Sequence, residues 1–332
     1  MIWLVRMKET SDHFDGRRYF NPAVSNRPFW KIIRWILNRK VKPWPSIAVE
    51  QKKVQKDRTE HCECRVTFIN HSTVLLQLEG LNILTDPIWS ERASPFSWMG
   101  PKRVVLPGIK FEDLPPIDIV ILSHNHYDHM DLPTLRLLSK THHPRFFVPK
   151  GNQSYLKRKG IQSIIDEMDW WDQIEISKDY RLHFVPAQHF SSRGILDRNA
   201  TLWGGFVFKS TQEMIYFAGD TGYGPHFAEI HRRFGPPTLS ILPIGAFEPR
   251  SIMDVVHLSP DEAVKIHSLM HSKQSLAIHF GTFQLTDEDI HHPAEQLQSS
   301  LQHQQLSSDA FWVLNPGDSR IVFKKELHNK SL

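Results

Sequence analysis

The stretch that most constrains this chain is Ser123-His124-Asn125-His126-Tyr127-Asp128-His129, which follows an apolar run from Ile117 to Leu122. Four side chains able to bind a metal, His124, His126, Asp128 and His129, fall within six residues. On a helix this spacing would scatter them around the axis. In a loop at the end of a buried strand, His124 and His126 can turn to one metal while Asp128 and His129 turn to a second. Imidazole and carboxylate together suit zinc or a similar borderline cation. The plain alternative is a histidine-rich surface loop, in a chain with 20 His among 332 residues.

Three later segments repeat the same form. Pro186-Ala187-Gln188-His189, Phe217-Ala218-Gly219-Asp220-Thr221-Gly222 and Ala277-Ile278-His279-Phe280-Gly281 each place a donor after an apolar run. In a layered sheet protein such ends gather at one edge, where sites are built from loops on a rigid scaffold. A lone histidine at a strand end is more often a hydrogen-bonded structural residue. Taken with the first stretch, however, these donors complete a two-metal set.

Around this frame the chain alternates between elements. Strands are expected at Arg65 to Asn70, Thr73 to Glu79, Leu81 to Thr85, Ile117 to Leu122, Arg145 to Pro149, Trp170 to Ile176 and Tyr180 to Ala187. Further strands are expected at Thr201 to Phe208, Glu213 to Ala218, Leu239 to Ile244, Ser275 to Phe280 and Ala310 to Leu314. Helices are expected at Leu132 to Lys140, Gly151 to Gly160, Pro225 to Phe234, Pro260 to His271 and Thr286 to Gln305. Ser259 with Glu262 forms a capping box for the Pro260 helix. The pattern predicts an α/β (α+β) fold with two sheets packed face to face and helices outside.

Residues 1–60 differ in texture: basic, tryptophan-rich and poor in strand pattern. They are expected to be an N-terminal extension, with residues 61–332 forming the main domain. From Pro28 to Lys40, Phe29, Trp30, Ile32, Ile33, Ile36 and Leu37 fall on one helical arc, with Lys31 and Arg34 opposite. Arg27 to Lys42 holds six basic residues and no acidic one. A helix of this kind lies on a membrane surface, cations to lipid phosphates, or packs its apolar face on its own domain. The net charge of +4 is mild and gives no sign of a nucleic-acid partner. The only two cysteines, Cys62 and Cys64, offer no disulfide framework and fit a reducing compartment. No apolar run approaches the ~20 residues of a membrane span.

The motif His124-x-His126-x-Asp128-His129 with the later His189, Asp220 and His279 resembles the metallo-β-lactamase superfamily. Other stretches narrow the likeness: Phe14 to Pro22, Leu84 to Pro95, Met99 to Arg103, Ser123 to Asp131, Gly219 to Tyr223 and Ile278 to Phe283. These resemble the N-acyl-phosphatidylethanolamine-hydrolysing phospholipase D family. The resemblance implies a four-layer αβ/βα sandwich and two zinc ions per chain. It assigns His124, His126 and His189 to one zinc, Asp128, His129 and His279 to the other, and Asp220 to both. It implies a zinc-dependent phosphodiesterase in which a hydroxide shared by the metals attacks an N-acyl-phosphatidylethanolamine-like phospholipid, giving phosphatidic acid and an N-acylethanolamine. A lactonase or nuclease-type hydrolase on the same fold is the alternative.

His71 and Asp86 are expected behind the donors, orienting ligand imidazoles; for Asp86 the alternative is a plain Asp-Pro turn. Asp128, Asp220 and His257 are the expected catalytic residues, with Arg250 and Tyr223 on the substrate. For His257 the alternative is a structural role at a helix entry. Trp170-Trp171 is expected in the core. Departures from the family pattern are Asn70 in place of a usual glycine, and Phe190 and Phe280 where tryptophan is common. The implied setting is cytoplasmic, with peripheral membrane contact through residues 28–40; a homodimer is compatible with it.

Overall fold

The computed structural model describes residues 11–23, 29–39, 41–59 and 63–324, with the side chains of residues 29, 31–33 and 36 excepted. Cys62 lies outside these residues; Cys64 is a buried free thiol.

Most strands are buried along nearly their whole length, because both faces of each sheet are covered. The first sheet contains β1 (Glu63–Asn70), β2 (Thr73–Leu78), β3 (Leu81–Thr85), β4 (Ile119–Ile121), β5 (Arg145–Pro149) and β6 (Ile165–Met168). The second contains β7 (Gln173–Glu175), β8 (Arg181–Val185), β9 (Gly205–Lys209), β10 (Met214–Phe217), β11 (Leu239–Pro243), β12 (Gln274–Ile278) and β13 (Phe311–Trp312). A last strand, β14 (Ser319–Lys324), returns to the first sheet and pairs antiparallel with β1. The orders are β14-β1-β2-β3-β4-β5-β6 and β13-β12-β11-β10-β9-β8-β7. The helices are α1 (Phe29–Asn38), α2 (Leu132–Thr141), α3 (Gln153–Arg158), α4 (His226–Phe234), α5 (Arg250–Met253), α6 (Pro260–Leu269) and α7 (His292–His303).

The period of two sorts each strand between two cores. Ile119, Ile121, Phe147, Phe206, Phe208, Ile241, Leu276 and Ile278 point between the sheets. The residues that alternate with them point outward. Val120, Phe146 and Val148 pack with Leu135, Leu138 of α2 and Leu156 of α3. Val207, Leu242 and Ala277 pack with Phe227 of α4, Val264 of α6 and Leu297 of α7. Four layers, helix-sheet-sheet-helix, result.

In the first sheet β3, β4, β5 and β6 run parallel. In the second, β10, β11, β12 and β13 run parallel. β8 shares their direction, since it and β10 are each antiparallel to β9. The C-terminal ends of β3, β4, β8, β10 and β12 therefore gather at one edge of the sandwich, where open α/β sheets place their ligands.

The capping box at Ser259 and Glu262 is present. Two expectations shift. Trp170 to Ile176 is not one strand: Trp171 turns with φ +74°, and only Gln173–Glu175 pair. Helix α7 begins at His292, because Thr286 Oγ1 and the amides of Ala246 and Glu248 engage the buried Glu288 carboxylate. The edge strands β6 and β14 carry no sequence expectation.

The N-terminal residues pack on this frame. His13 stacks on Trp170 with ring centroids 4.3 Å apart. Trp44 is buried and its Nε1 donates to Glu288 O at 3.0 Å. Trp35 Nε1 and Arg39 Nε each donate to Asp287 at 2.6 Å, which moors α1. Trp30 and Leu37 of that helix are exposed.

Candidate metal centre

Each donor sits just beyond a strand. Asp86 follows β3, His124 to His129 follow β4, His189 follows β8, Asp220 follows β10 and His279 follows β12. His71 occupies the β1–β2 turn with φ +46°. The two sheet edges interlock here. Gly204 N donates to Ser123 O at 3.0 Å and His279 N to His71 O at 2.8 Å. Gly219 has φ +62°, and a Cβ there would stand 2.5 Å from Ser123 Cβ. Only glycine lets the Asp220 loop come this close.

Two donor sets form around Asp220 Oδ2. In one, His126 Nδ1 lies 2.8 Å from His124 Nε2 and 3.2 Å from His189 Nε2. Asp220 Oδ2 is 3.9 Å from His124 Nε2 and 3.8 Å from His189 Nε2. In the other, Asp128 Oδ2 lies 3.3 Å from His129 Nε2 and 3.4 Å from His279 Nε2. Asp220 Oδ2 is 3.2 Å from His129 Nε2 and 3.0 Å from His279 Nε2. Ligand atoms ~2.0–2.1 Å from a tetrahedral ion stand about 3.3 Å apart. Most of these spacings fall close to that value. Nε2 of His129, Nε2 of His279 and Oδ1 of Asp220 are buried with no hydrogen-bond partner among the described residues. Buried polar atoms are rarely left in that state. The donor set, its spacing and these orphaned atoms fit a pair of cations.

Contacts behind the donors aim the imidazoles. Asp86 Oδ2 lies 2.7 Å from His129 Nδ1 and accepts from Ser123 Oγ at 2.6 Å. A carboxylate only accepts, so the proton of His129 sits on Nδ1 and Nε2 faces the cluster. Ser123 Oγ, its own proton given to Asp86, accepts from His124 Nδ1 at 2.8 Å. One buried carboxylate thus orients two imidazoles. His189 Nδ1 donates to Val256 O at 2.9 Å, which turns its Nε2 inward. His71 Nε2 donates to Asp128 Oδ2 at 2.9 Å.

The charges follow from burial and neighbours. Burial holds the imidazole of His124 well below its usual range, and lowers His126 to about 4 and His189 to about 3. Burial likewise lowers His71 to about 3. Burial opposes charge on His279 too, but Asp220 and Asp128 outweigh it and push the ligand-free imidazole up to about 9. For His129, burial is outweighed by Asp220, Asp128 and Asp86, which hold it well above its usual range. Burial works against the Asp220 carboxylate, yet His129 and His279 hold it well below the usual carboxylate range.

The remaining expected residues stand at different distances from the cluster. His257 is at its wall: Nδ1 is 3.9 Å from Asp220 Oδ2 and its ring is 5.1 Å from that of His189. Burial keeps this imidazole neutral, well below its usual range. Arg250 opens α5 and directs its guanidinium to His257 O at 2.9 Å and Glu262 Oε2 at 2.7 Å. Tyr223 is exposed, three residues after Asp220. Trp170 is buried, and its Nε1 donates to Trp203 O at 2.7 Å. Ser123 and the Val256 carbonyl were not legible in the sequence: a serine has many roles, and a backbone acceptor leaves no residue signature.

The family description "Beta-lactamase superfamily domain" matches residues 81–280. The N-acyl-phosphatidylethanolamine-hydrolyzing phospholipase D 1 of Caenorhabditis elegans is 36% identical over 76% of this chain and 74% of its own length. The mitochondrial N-acyl-phosphatidylethanolamine-hydrolyzing phospholipase D of Saccharomyces cerevisiae is 34% identical over 74% of this chain, but only 53% of its own length is covered. Among solved structures, an isothiocyanate hydrolase from Delia radicum gut bacteria superposes with a TM-score of 0.62 at 22% identity, over 77% of this chain and 98% of that one. That likeness confirms the sandwich fold. The chain belongs to the metallo-β-lactamase superfamily, within it to the N-acyl-phosphatidylethanolamine-hydrolysing phospholipase D family, and is a metal-dependent hydrolase.

Proposed function

We propose that this chain is a zinc-dependent phosphodiesterase of phospholipase D type, which hydrolyses N-acyl-phosphatidylethanolamine-like phospholipids to phosphatidic acid and N-acylethanolamine. The observation that carries this reading is the pair of donor sets meeting at Asp220 Oδ2, in a chain 36% identical to a protein of that name. His124, His126 and His189 would hold one zinc, Asp128, His129 and His279 the other, and Asp220 both. When bound, such a pair supplies Lewis acidity toward the phosphoryl oxygens and acidifies an attacking water to a pKa of about 7.

The chain's own residues set the geometry. Asp220 holds the two donor sets together. Asp128 is kept in place by the neutral His71, whose Nε2–H it accepts. His257 is neutral at pH 7, so it offers an N–H to charge developing on the phosphoryl oxygens rather than a cation. Arg250 anchors the His257 carbonyl, which makes it a support for that loop. Tyr223 is left as the contact to the lipid body.

Helix α1 supports a membrane-borne substrate, since Trp30, Arg34 and Leu37 are exposed on it while Trp35 and Arg39 moor it. Among the described residues no helix is long and apolar enough to cross a membrane. Peripheral association, a cytoplasmic setting and a homodimer belong to the same proposal.

Zinc-loaded protein, incubated with N-acyl-phosphatidylethanolamine in mixed vesicles and with a simple aryl phosphodiester, is expected to release N-acylethanolamine. His189→Ala is expected to abolish that release. Rapid lactone opening with no phospholipid turnover would overturn the reading. Flotation with anionic liposomes tests the membrane part: Trp30→Glu with Leu37→Glu is expected to lower binding, and unchanged flotation refutes it.

A further inference from the structure

We propose that residues 11–23 form a strap that fixes the loop 189–199, and that Asn21 is a positioning residue for His189. The proposal rests on the reading of His189 as a metal donor. It gives a physical role to the Phe14 to Pro22 stretch, which carries no donor of the metal cluster.

The strap is a small hairpin in itself. Bridges join Ser11 to Phe14 and Phe14 to Tyr19, and Phe20 N donates to His13 O at 2.9 Å. Asp15 Oδ1 accepts from the amides of Arg17 and Arg18 at 2.8 and 2.6 Å. Its root is fixed in the domain. Phe14 and Tyr19 belong to the core between the sheets, and His13 Nε2 lies 2.8 Å from Asp169 Oδ1.

From this root the strap reaches both ends of one loop. Tyr19 N donates to Asn199 O at 2.9 Å, and Arg18 Nη2 donates to Leu196 O at 2.7 Å. Arg18 Nη1 donates to Arg198 O. Asn21 Nδ2 donates to His189 O at 2.7 Å. The loop closes on itself where Asn199 N donates to Ser191 O at 2.7 Å. Its middle leans on the Asn125–Met130 segment: Tyr127 Oη donates to Arg193 O at 2.8 Å, and Ser192 N donates to Asn125 Oδ1 at 2.9 Å. Its tip gives it no core, with Ile195 and Leu196 at 99% and 86% exposure.

His189 is therefore held at two points. Val256 O orients its ring, and Asn21 holds its peptide. Without the Asn21 donor the carbonyl is free to rotate. A backbone at His189 that can shift carries its ring with it, away from the place 3.2 Å from His126 Nδ1.

The test measures Zn2+ and Co2+ affinity by chelator competition, and the visible spectrum of the Co2+-loaded protein. Wild type, His189→Ala, Asn21→Ala and Asn21→Asp are compared. Circular dichroism and melting temperature are followed in parallel. His189→Ala is expected to weaken binding at one site strongly. Asn21→Ala is expected to weaken it about tenfold and shift the Co2+ bands, the usual scale for a contact behind a ligand. Asn21→Asp has the same shape but sets a carboxylate oxygen against the His189 carbonyl, so it is expected to do at least as much harm. A role in packing alone predicts the reverse order, with Asn21→Asp close to wild type, and would overturn the proposal. Wild-type metal affinity and spectrum in both Asn21 variants, while His189→Ala weakens binding, refute the strap's role and leave the ligand reading intact. Wild-type affinity in His189→Ala removes the ligand reading itself.

Discussion

Asp86→Asn probes the contacts behind the candidate metal donors. Asp86 is fully buried, with Oδ1 accepting from Ser123 N at 2.7 Å. Its Oδ2 accepts from Ser123 Oγ at 2.6 Å and from His129 Nδ1 at 2.7 Å. Asparagine keeps the shape but replaces one acceptor oxygen by an NH2 donor. Placed at Oδ1, that donor faces the Ser123 amide, and a buried clash of donors costs about 1–3 kcal/mol. Placed at Oδ2, it faces both Ser123 Oγ and His129 Nδ1. The imidazole then accepts at Nδ1 and carries its proton on Nε2, the atom that lies 3.3 Å from Asp128 Oδ2 and 3.2 Å from Asp220 Oδ2. A protonated nitrogen has no lone pair for a metal. Loss of such a supporting contact weakens metal binding by about 10–100-fold, or roughly 1.4–2.8 kcal/mol. Chelator competition and elemental analysis after gel filtration measure this directly. Ser123→Ala serves as a companion, because it breaks only the relay to His124 and is expected to do less. Wild-type metal affinity in Asp86→Asn would refute the reasoning, since the carboxylate would then orient nothing that matters to the metal.

Other perturbations test other links. A metal held by His279 and His129 would displace the protons that nearby carboxylates keep on both rings, on His279 up to about 9 and on His129 well above its usual range, so affinity is expected to rise by more than about tenfold per pH unit from 6.5 toward 9; a flat chelator titration over that range refutes it. Gly219→Ala places a methyl 2.5 Å from Ser123 Cβ at φ +62°, and is expected to lose roughly 1–3 kcal/mol in urea unfolding. Burial disfavours charge on His13, but Asp169 and Asp12 outweigh it and raise its pKa. Its stabilising contribution is therefore full below the unfolded value of 6.5 and is lost as pH rises through the folded value. Burial is likewise outweighed at Asp169, which His13 and Lys150 bring down to about 2, so that contribution is present above 3.8 and is lost as pH falls toward 2. Thermal melts should accordingly show His13→Ala least stable relative to wild type between about pH 4 and 6.5, the difference shrinking by pH 9; a constant difference refutes the linkage.

The layered fold was legible wherever a strand is covered on both faces. Ile119-Val120-Ile121 and Phe206-Val207-Phe208 stand out because each residue feeds one core or the other. Edge strands gave weaker signals. In β6, Asp166 and Glu167 separate two buried residues, and the tilt toward solvent hides the pattern. β14 is mostly exposed and pairs with β1, more than two hundred residues earlier, a partner no local window contains. Helix α7 was expected from Thr286, but the buried Glu288 uses its carboxylate to hold the 246–248 turn, and the helix starts only at His292.

The donors show the same division for a different reason. Metal-capable side chains announce themselves by type and by position after an apolar run, so the seven candidate donors were readable as a set. What positions them did not, because much of it is backbone: the carbonyls of Val256 and His189, the amide of Ser123, the φ of Gly219. Charge explains why this silent frame must be stiff. Asp86, Asp128 and Asp220 are all buried at one edge, and buried carboxylates are tolerated only with nearby positive charge. In the ligand-free chain His129 and His279 supply it as imidazolium groups. A cation held by His129 and His279 would supply positive charge at the same atoms, Nε2 of both rings, in place of their protons. The frame would therefore hold one geometry for either occupant, and a cation would enter a site whose carboxylates are already drawn together.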